Sequence, residues 1–149
     1  AARRDGLLVL DHFLPYRLSV LSNTVSARIA KSYEERFQLT IPEWRVMAVL
    51  GRFPGLMAGE VTDRTAMDKV QVSRAVARLK KARRIEQRAV EGDRRARHLF
   101  LTDEGREVYA EIVPIARDYE LRFIAGLSAG ERAQFERLLD KLATAAATL

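Results

Sequence analysis

The feature that most constrains this chain is the order of residues within one strongly basic segment, residues 68–97. This segment holds 11 of the 26 lysines and arginines but only four of the 20 acidic residues, a local net charge of +7. Because the whole chain carries +6, the remainder carries −1. The basic excess belongs to a segment whose pattern predicts a helix followed by a β-hairpin. Such a surface suits an anionic partner, and this order favours nucleic acid.

Residues 68–81 predict a helix with one apolar and one cationic face. Asp68 can cap its first turn, and Gln71 can reach back in a capping box. At about 100° per residue, Val72, Ala75, Val76 and Leu79 share one face and hydrogen-bond donors occupy the other. Arg74 and Arg78 lie one turn apart, a spacing that suits the major groove, and Ser73 beside them suits a phosphate. The predicted DNA-contacting set on this helix is Lys69, Gln71, Ser73, Arg74, Arg78 and Lys81. The helix alone leaves open that this is an ordinary solvated charged face.

The next residues predict a hairpin with a charged tip. Two short runs, 85–90 and 97–101, contain β-branched and aromatic residues and flank a polar segment with Gly92. Arg94 and Arg95 in that segment can enter the minor groove beside the helix. Asp93 can hydrogen-bond the Arg95 guanidinium and fix its direction. A solvated turn without function is the alternative, and the preceding basic helix disfavours it.

Upstream of the basic helix, Thr40 and Glu43 form a capping-box pattern that predicts the start of a helix, with Pro42 in its first turn. A short helix is then predicted over residues 56–66, followed by a brief turn at Met67 and Asp68. Helix, turn, basic helix and hairpin together form a helix-turn-helix with a wing. The predicted DNA-binding region covers residues 41–102.

The two ends of the chain predict long amphipathic helices. Apolar residues recur at steps of three or four over residues 14–37 and again from Val108 onward, and Ser128 with Glu131 opens a last helix. Pro114 is predicted to interrupt the penultimate helix, with a kink or a free carbonyl near Ala110. The surplus apolar surface favours a homodimer built from residues 12–37 and 103–149, with a helical layer inside one chain as the alternative. The predicted fold is one domain over residues 1–149, mainly α with a small β-hairpin wing: a winged helix-turn-helix with long N- and C-terminal dimerisation helices.

Several motifs also carry a family resemblance. The run DKVQVSRAVARLKK over residues 68–81, followed by Ile85, Gly92-Asp93-Arg94-Arg95 and Leu101-Thr102-Asp103-Glu104-Gly105, resembles the multiple-antibiotic-resistance regulator (MarR) family of bacterial transcription factors. The family usually has a glycine-containing turn after the basic helix, where this chain has Arg83-Arg84. Because a positive φ is costly for arginine, we expect either a differently built turn or a longer helix.

The resemblance implies a dimeric, sequence-specific regulator that binds a pseudo-palindromic operator in double-stranded DNA. It also implies a repressor relieved by a small aromatic or phenolic anion, bound in a cleft between the dimer helices and the winged helix. The candidate ligand-binding residues are Tyr16, Arg17, Trp44 and Arg45. A tryptophan on such a helix is more often core than a ligand contact, and each of the four could equally be a surface cation or a packed aromatic. The alternative function is a winged-helix nucleic-acid-binding or architectural module without small-molecule control.

The sequence contains little that supports a membrane protein, an enzyme or a metal-binding protein. Hydrophobic residues make up 48% and charged residues 31%, which is typical of a globular protein. The chain has no cysteine, and the apolar run 7–10 is too short for a signal peptide or a membrane span, so we expect a cytoplasmic protein that does not contact membranes. Its two histidines, His12 and His98, lack partners at metal-site or catalytic-triad spacing, and no phosphate-binding glycine loop is present. The sequence therefore predicts no enzyme, no cofactor and no metal.

Overall fold

The computed structural model describes residues 6–149, and this part of the chain is mainly helical with one antiparallel hairpin. Residues 1–5, at the start of the predicted domain, lie outside the described part. The elements in chain order are a short 3₁₀ helix Leu10–His12, α1 (Leu14–Ala30), α2 (Glu34–Phe37), α3 (Ile41–Arg52), α4 (Ala58–Arg64), α5 (Lys69–Lys81), β1 (Ile85–Val90), β2 (Asp93–Leu101), α6 (Asp103–Phe123) and α7 (Ala129–Ala147). The predicted fold class is confirmed. Within residues 6–149, none of the helices is both long and apolar enough to cross a membrane.

The chain divides inside α6 into two compact units. The first ends at Ile115, and the second covers Ala116–Leu149. The core of the first unit is formed by buried side chains of α3, α4, α5 and the hairpin, including Val46, Leu50, Val61, Leu79 and Leu99. In the second unit, α7 contains no buried residue. Pro114 does not interrupt α6 as predicted, because the helix continues through it to Phe123.

Capping boxes fix where α3 and α7 begin. The N–H of Thr40 donates to the Glu43 carboxylate at 3.0 Å, and the N–H of Ser128 donates to Glu131 at 2.9 Å. The reciprocal bonds, from the amides of Glu43 and Glu131 to the two hydroxyls, are also present. Each box satisfies amides that a helix start leaves without a partner, so α3 and α7 begin where the sequence predicts.

The first long helix differs from its prediction, because residues 14–37 do not form one continuous helix. α1 ends at Ala30, and a turn separates it from α2. In that turn the Ser32 hydroxyl donates to the Ile29 carbonyl at 2.5 Å, competing for an acceptor that helix continuation would use. Tyr33 is 1% exposed, and the same burial raises the pKa of its phenol to about 12. The break between α1 and α2 thus coincides with the burial of the Tyr33 ring in the core.

The first helix of the helix-turn-helix is also shorter than the predicted 56–66, covering Ala58–Arg64. Leu56 is extended rather than helical because its backbone pairs with Leu99 of β2. The Leu99 amide donates to the Leu56 carbonyl at 2.8 Å, and the Gly55 amide donates to the Leu99 carbonyl at 2.9 Å. The hairpin is thereby attached to the turn that precedes α4.

Candidate nucleic-acid interface

α5 begins at the predicted capping box and divides into the two predicted faces. The Gln71 amide donates to the Asp68 carboxylate at 2.8 Å, and the Asp68 amide donates to the Gln71 side chain at 3.2 Å. The four predicted core residues, Val72, Ala75, Val76 and Leu79, are all buried. Since each lies on the side facing α3, α4 and the hairpin, the cationic residues are turned to the surface.

The outward face of α5 carries exposed hydrogen-bond donors. The six predicted contact residues of this helix, Lys69, Gln71, Ser73, Arg74, Arg78 and Lys81, are exposed. Within residues 6–149, no ion pair joins any of its lysines or arginines to a carboxylate. Their charges are therefore available to an external anion.

A groove of about 550 Å³ runs along one side of α5, between this helix, α4 and β1. Lys69, Ser73 and Lys80 line it from α5, at successive positions along the helix. The Lys80 ammonium donates to the Gln87 side chain across the groove at 3.0 Å. The same lining includes the Asp63 carboxylate. The exposed Ser73 hydroxyl is able to donate to a phosphate oxygen, which is the kind of contact that the sequence predicts for it.

The turn after α5 has arginine at the position where a glycine is expected. The helix ends at Lys81, and Arg83 takes the left-handed conformation with φ of +59°. The Arg84 amide donates to the Leu79 carbonyl at 2.9 Å and the Arg83 amide donates to the Lys80 carbonyl at 3.0 Å. These two bonds are the Schellman arrangement that usually contains glycine at the left-handed position. Both expectations are therefore wrong: the helix does not run further, and the turn has its usual geometry with arginine at the glycine position.

The start of α6 holds this turn in place. The Thr102 hydroxyl donates to the Arg83 carbonyl at 2.6 Å and accepts from the Gly105 amide at 3.0 Å. The Thr102 amide donates to the Arg84 carbonyl at 3.0 Å. A Cβ atom on Gly105 would lie 2.0 Å from that same carbonyl oxygen, so only glycine permits the approach. Thr102 and Gly105 thus join the end of α5 to the start of α6.

The hairpin differs from its prediction in where the second strand begins. β2 starts at Asp93, so the tip consists only of Glu91 and of Gly92 with φ of +87°. Arg88 pairs with His98 and Val90 pairs with Asp93, which leaves one residue of β1 opposite four residues of β2. Those four residues, 94–97, form a bulge that contains the exposed side chains of Arg94, Arg95 and Arg97. We call residues 94–97 the arginine bulge.

Asp93 closes the arginine bulge rather than pairing with Arg95. One carboxylate oxygen accepts from the Ala96 amide at 3.1 Å, and the other lies 3.3 Å from Nε2 of His98. No ion pair between Asp93 and Arg95 occurs in the part of the chain that the structure describes. The predicted contact with Arg95 does not form because the Asp93 carboxylate, at the start of the bulge, accepts a hydrogen bond from the Ala96 backbone amide instead.

His98 connects the arginine bulge to the turn before α4. Its Nδ1 lies 2.7 Å from the Gly55 carbonyl oxygen, and its side chain is 13% exposed. The hydrogen bond with Gly55, followed by the interaction with Asp93, raises the pKa of this imidazole above its ordinary value of 6.5. Sequence reasoning did not include His98, Arg97, Thr102 or Gly105 in the site. The basic count included Arg97, but the other three act through contacts distant in sequence.

The four candidate ligand residues lie in two different surroundings. Tyr16 and Arg17 line an open groove of about 570 Å³ on α1, together with residues between Asp11 and Thr24. Trp44 and Arg45 do not line that groove. Trp44 is half-buried, and its ring centroid is 5.9 Å from each of the Tyr33 and Tyr109 rings. Such spacing is typical of packed aromatic side chains, and it favours the core interpretation of Trp44.

Comparisons with known proteins agree with this architecture. Residues 37–96 match the MarR family model. The transcriptional regulator HosA of Escherichia coli O127:H6 is 27% identical over 113 residues, 76% of this chain and 84% of HosA. The HTH-type transcriptional repressor Rv2887 of Mycobacterium tuberculosis is 27% identical over 131 residues, 87% of this chain and 91% of the repressor.

Two solved structures share the fold over almost their whole length. A MarR/EmrR family regulator from Acinetobacter sp. ADP1 has a TM-score of 0.86 and 25% identity, covering 95% of this chain and 100% of that one. The PcaV transcriptional regulator of Streptomyces coelicolor, solved in complex with its natural ligand, has a TM-score of 0.75 and 25% identity, covering 94% and 98%. Residues 37–96 thus match the MarR family model, and over most of its length the chain is similar to MarR-family winged-helix transcriptional regulators.

Proposed function

We propose that this chain works as a homodimer that binds a pseudo-palindromic operator and represses transcription. The observation that carries the proposal is the exposed cationic surface of α5, whose lysines and arginines form no ion pair within residues 6–149. The exposed arginine bulge of the wing adds to it. The lysines and arginines of α5 are suited to nucleic acid, because in a purely structural role we would expect them to be paired with carboxylates. Residues 41–102 are the proposed DNA-binding region, and the helices of residues 12–37 and 103–149 are the proposed dimerisation helices.

On DNA, α5 is the proposed recognition helix. Arg74 and Arg78 are exposed on its outward side one turn apart, a spacing that suits contacts to guanine edges in a major groove. Gln71 at the N-terminal end suits an adenine edge. The remaining polar side chains on this helix, Lys69, Ser73 and Lys81, are proposed phosphate contacts that set position without reading sequence. Arg94 and Arg95 are proposed to enter the adjacent minor groove, and Asp93 is proposed to act there by closing the bulge.

Support for a homodimer comes from apolar surface that lies exposed in each unit. On α1, Leu14, Leu18 and Leu21 lie at successive turns and are all exposed. On α7, the exposed residues Phe135, Leu138, Leu139 and Leu142 share one face although the helix buries no residue. Rows of large apolar side chains usually mark a contact surface, and a two-fold partner is the commonest occupant.

The test of the recognition helix compares Arg74→Ala and Arg78→Ala with Arg117→Ala, which removes the same charge from an exposed position on α6. On the selected operator we expect each α5 variant to lose roughly 1–3 kcal/mol of binding free energy, with a smaller loss on unrelated DNA. The Arg117 variant should bind both DNAs nearly as the unmodified protein does. Equal losses on operator and unrelated DNA would assign Arg74 and Arg78 to phosphates, and uniformly sequence-independent binding would favour the architectural alternative.

We also propose that a small aromatic anion releases the DNA, with Tyr16, Arg17, Trp44 and Arg45 as candidate contacts. Support comes from the groove beside Tyr16 and Arg17, where an aromatic ring and a cation flank apolar surface, and from PcaV, which binds a natural ligand. A ligand can weaken DNA binding only through a higher affinity for the conformation that fits the operator poorly.

Titration with aromatic carboxylates should change Trp44 fluorescence and release the operator. Arg17→Ala, with Arg45→Ala as its counterpart on α3, should identify which cation holds the carboxylate. The relevant variant should bind operator normally without ligand and should not release it with ligand. If none of the acids changes fluorescence or DNA affinity, small-molecule control is excluded for this chemical class while the DNA-binding proposal remains.

A further inference from the structure

His98 lies between two groups that only accept hydrogen bonds. Its Nδ1 is 2.7 Å from the Gly55 carbonyl oxygen, and its Nε2 is 3.3 Å from the Asp93 carboxylate. A neutral imidazole carries one N–H and can therefore donate to only one of these two oxygens. The imidazolium carries two, so the protonated ring alone satisfies both contacts. The geometry thus selects the charged form of His98.

The charged groups around the ring strengthen that selection. Asp93 contacts it from β2, and Glu60 on α4 contributes a further negative charge that favours the imidazolium. The positive group facing His98 is Arg88, its partner in the β1 register. The Arg88 guanidinium lies 3.9 Å from the centre of the Phe100 ring and 3.4 Å from Glu86, so its charge is partly engaged elsewhere.

The Asp93 carboxylate links this histidine to the arginine bulge. Its second oxygen accepts from the Ala96 amide at 3.1 Å, which closes the backbone around Arg94 and Arg95. On the other side of the ring, the Gly55 carbonyl belongs to the turn that is hydrogen-bonded to Leu99. The chain of contacts therefore runs from the fixed turn through His98 and Asp93 to the residues that carry the arginines.

We infer that His98 is a positioning residue for the wing, and that its imidazolium holds the arginine bulge in place so that DNA affinity falls when the ring loses its proton. This inference rests on the proposed contact of the wing with DNA. Below the pKa of His98 both hydrogen bonds are made. As the pH rises through that pKa, Nε2 presents a lone pair to the carboxylate and the link opens.

The protonation state can be measured without DNA, because the chain has only two histidines. In ¹⁵N-detected spectra of the imidazoles, assigned with His12→Gln, the titration point of His98 should lie above 6.5, and below that point both ring nitrogens should carry protons. Asp93→Asn should lower that titration point, because it removes the charge that favours the imidazolium. A neutral ring at pH 6, or a titration unaffected by Asp93→Asn, would overturn the inference.

The consequence for DNA is tested by operator affinity from pH 6 to 9 at constant ionic strength. The unmodified protein should lose roughly three- to tenfold in affinity across the titration of His98. Asp93→Asn supplies an amide that can donate to the neutral ring while its oxygen still accepts from Ala96, so its affinity should vary much less with pH. Asp93→Ala removes both contacts and should bind more weakly at every pH, although it removes a negative charge.

Equal pH profiles for the unmodified protein and Asp93→Asn would contradict a role of His98 in DNA binding, even if the imidazolium is present. Absence of operator binding at any pH would instead contradict the proposed function, while the imidazole spectra would still decide whether the link exists. Circular dichroism over the same pH range separates local opening of the wing from unfolding of the chain.

Discussion

Arg83 occupies a backbone position at which most chains of this architecture would be expected to have glycine. Its φ of +59° brings the Cβ atom close to the following carbonyl, a conformation that costs a non-glycine residue about 1–2 kcal/mol. The position tolerates arginine because the Schellman bonds and the Thr102 hydroxyl fix the surrounding backbone. A sequence with two arginines after the helix therefore has the same turn as one with glycine, but with some conformational strain.

We predict that Arg83→Gly stabilises the protein by about 0.5–1 kcal/mol. The gain is smaller than the strain released because glycine is more flexible in the unfolded chain. Urea denaturation measures the difference. Arg83→Ala is the matched control, since it removes the same charge but keeps the Cβ atom and should give no such gain. Equal stabilisation by both variants would show that charge repulsion, and not the backbone, is the cause.

At the scale of elements, α5 and α6 share one junction. The Arg84 carbonyl accepts from Thr102 and lies against the Gly105 backbone, so α5 ends on the first turn of α6. Glycine is required at position 105 by close contact rather than by a positive φ. The orientation of α5 on DNA should therefore depend on residues of α6 that do not approach the DNA themselves.

Gly105→Ala is predicted to destabilise the protein by roughly 1–3 kcal/mol, the usual cost of forcing an extra carbon into a packed site. Gly59→Ala serves as the comparison, because nothing lies within 4 Å of a Cβ there. In helix α4 this substitution should be neutral or stabilising by up to about 1 kcal/mol. Thermal and urea unfolding give both values, and a harmless Gly105→Ala would contradict the junction.

The wing yields a prediction about salt dependence. Arg95→Ala should weaken operator binding and reduce the slope of log affinity against log salt by about one unit, as expected for the loss of one phosphate-neutralising charge. Arg88→Ala removes a wing arginine that already contacts Phe100 and Glu86. Arg88→Ala should lower the free energy of unfolding and should change the salt slope less than Arg95→Ala does. The same change in slope for both variants would mean that the arginine bulge has no special role.

Sequence patterns that span a few residues predicted the helix starts that depend only on those residues. The capping boxes before α3, α5 and α7 lie within four residues of sequence, and each begins its helix as expected. Tertiary contacts decided the rest. The break before Tyr33 accompanies burial of its ring, and the late start of α4 follows from the pairing of Leu56 with Leu99. The partners of Asp93 depend on a bulge whose register no short pattern specifies.

At the scale of the whole molecule, the exposed face of α7 should determine whether the chain dimerises. We predict that Leu138→Glu combined with Leu142→Glu gives monomers or a weakened dimer, because burying two carboxylates in an apolar interface is unfavourable. Sedimentation over a range of concentrations measures the association. Arg137→Glu, on the opposite side of the same helix, should leave the association unchanged. A tight dimer in the double variant would place the interface elsewhere.

The central claim is that two recognition helices of one dimer read two half-sites on the same face of the duplex. The most direct test selects an operator from random DNA with the full chain and then inserts five base pairs between its half-sites. We predict a pseudo-palindrome with half-site centres about 34 Å apart, bound by two chains, and a loss of specific affinity after the insertion, because half a turn places the half-sites on opposite faces. An unsymmetrical site bound by one chain, or an affinity unchanged by the insertion, would contradict the account.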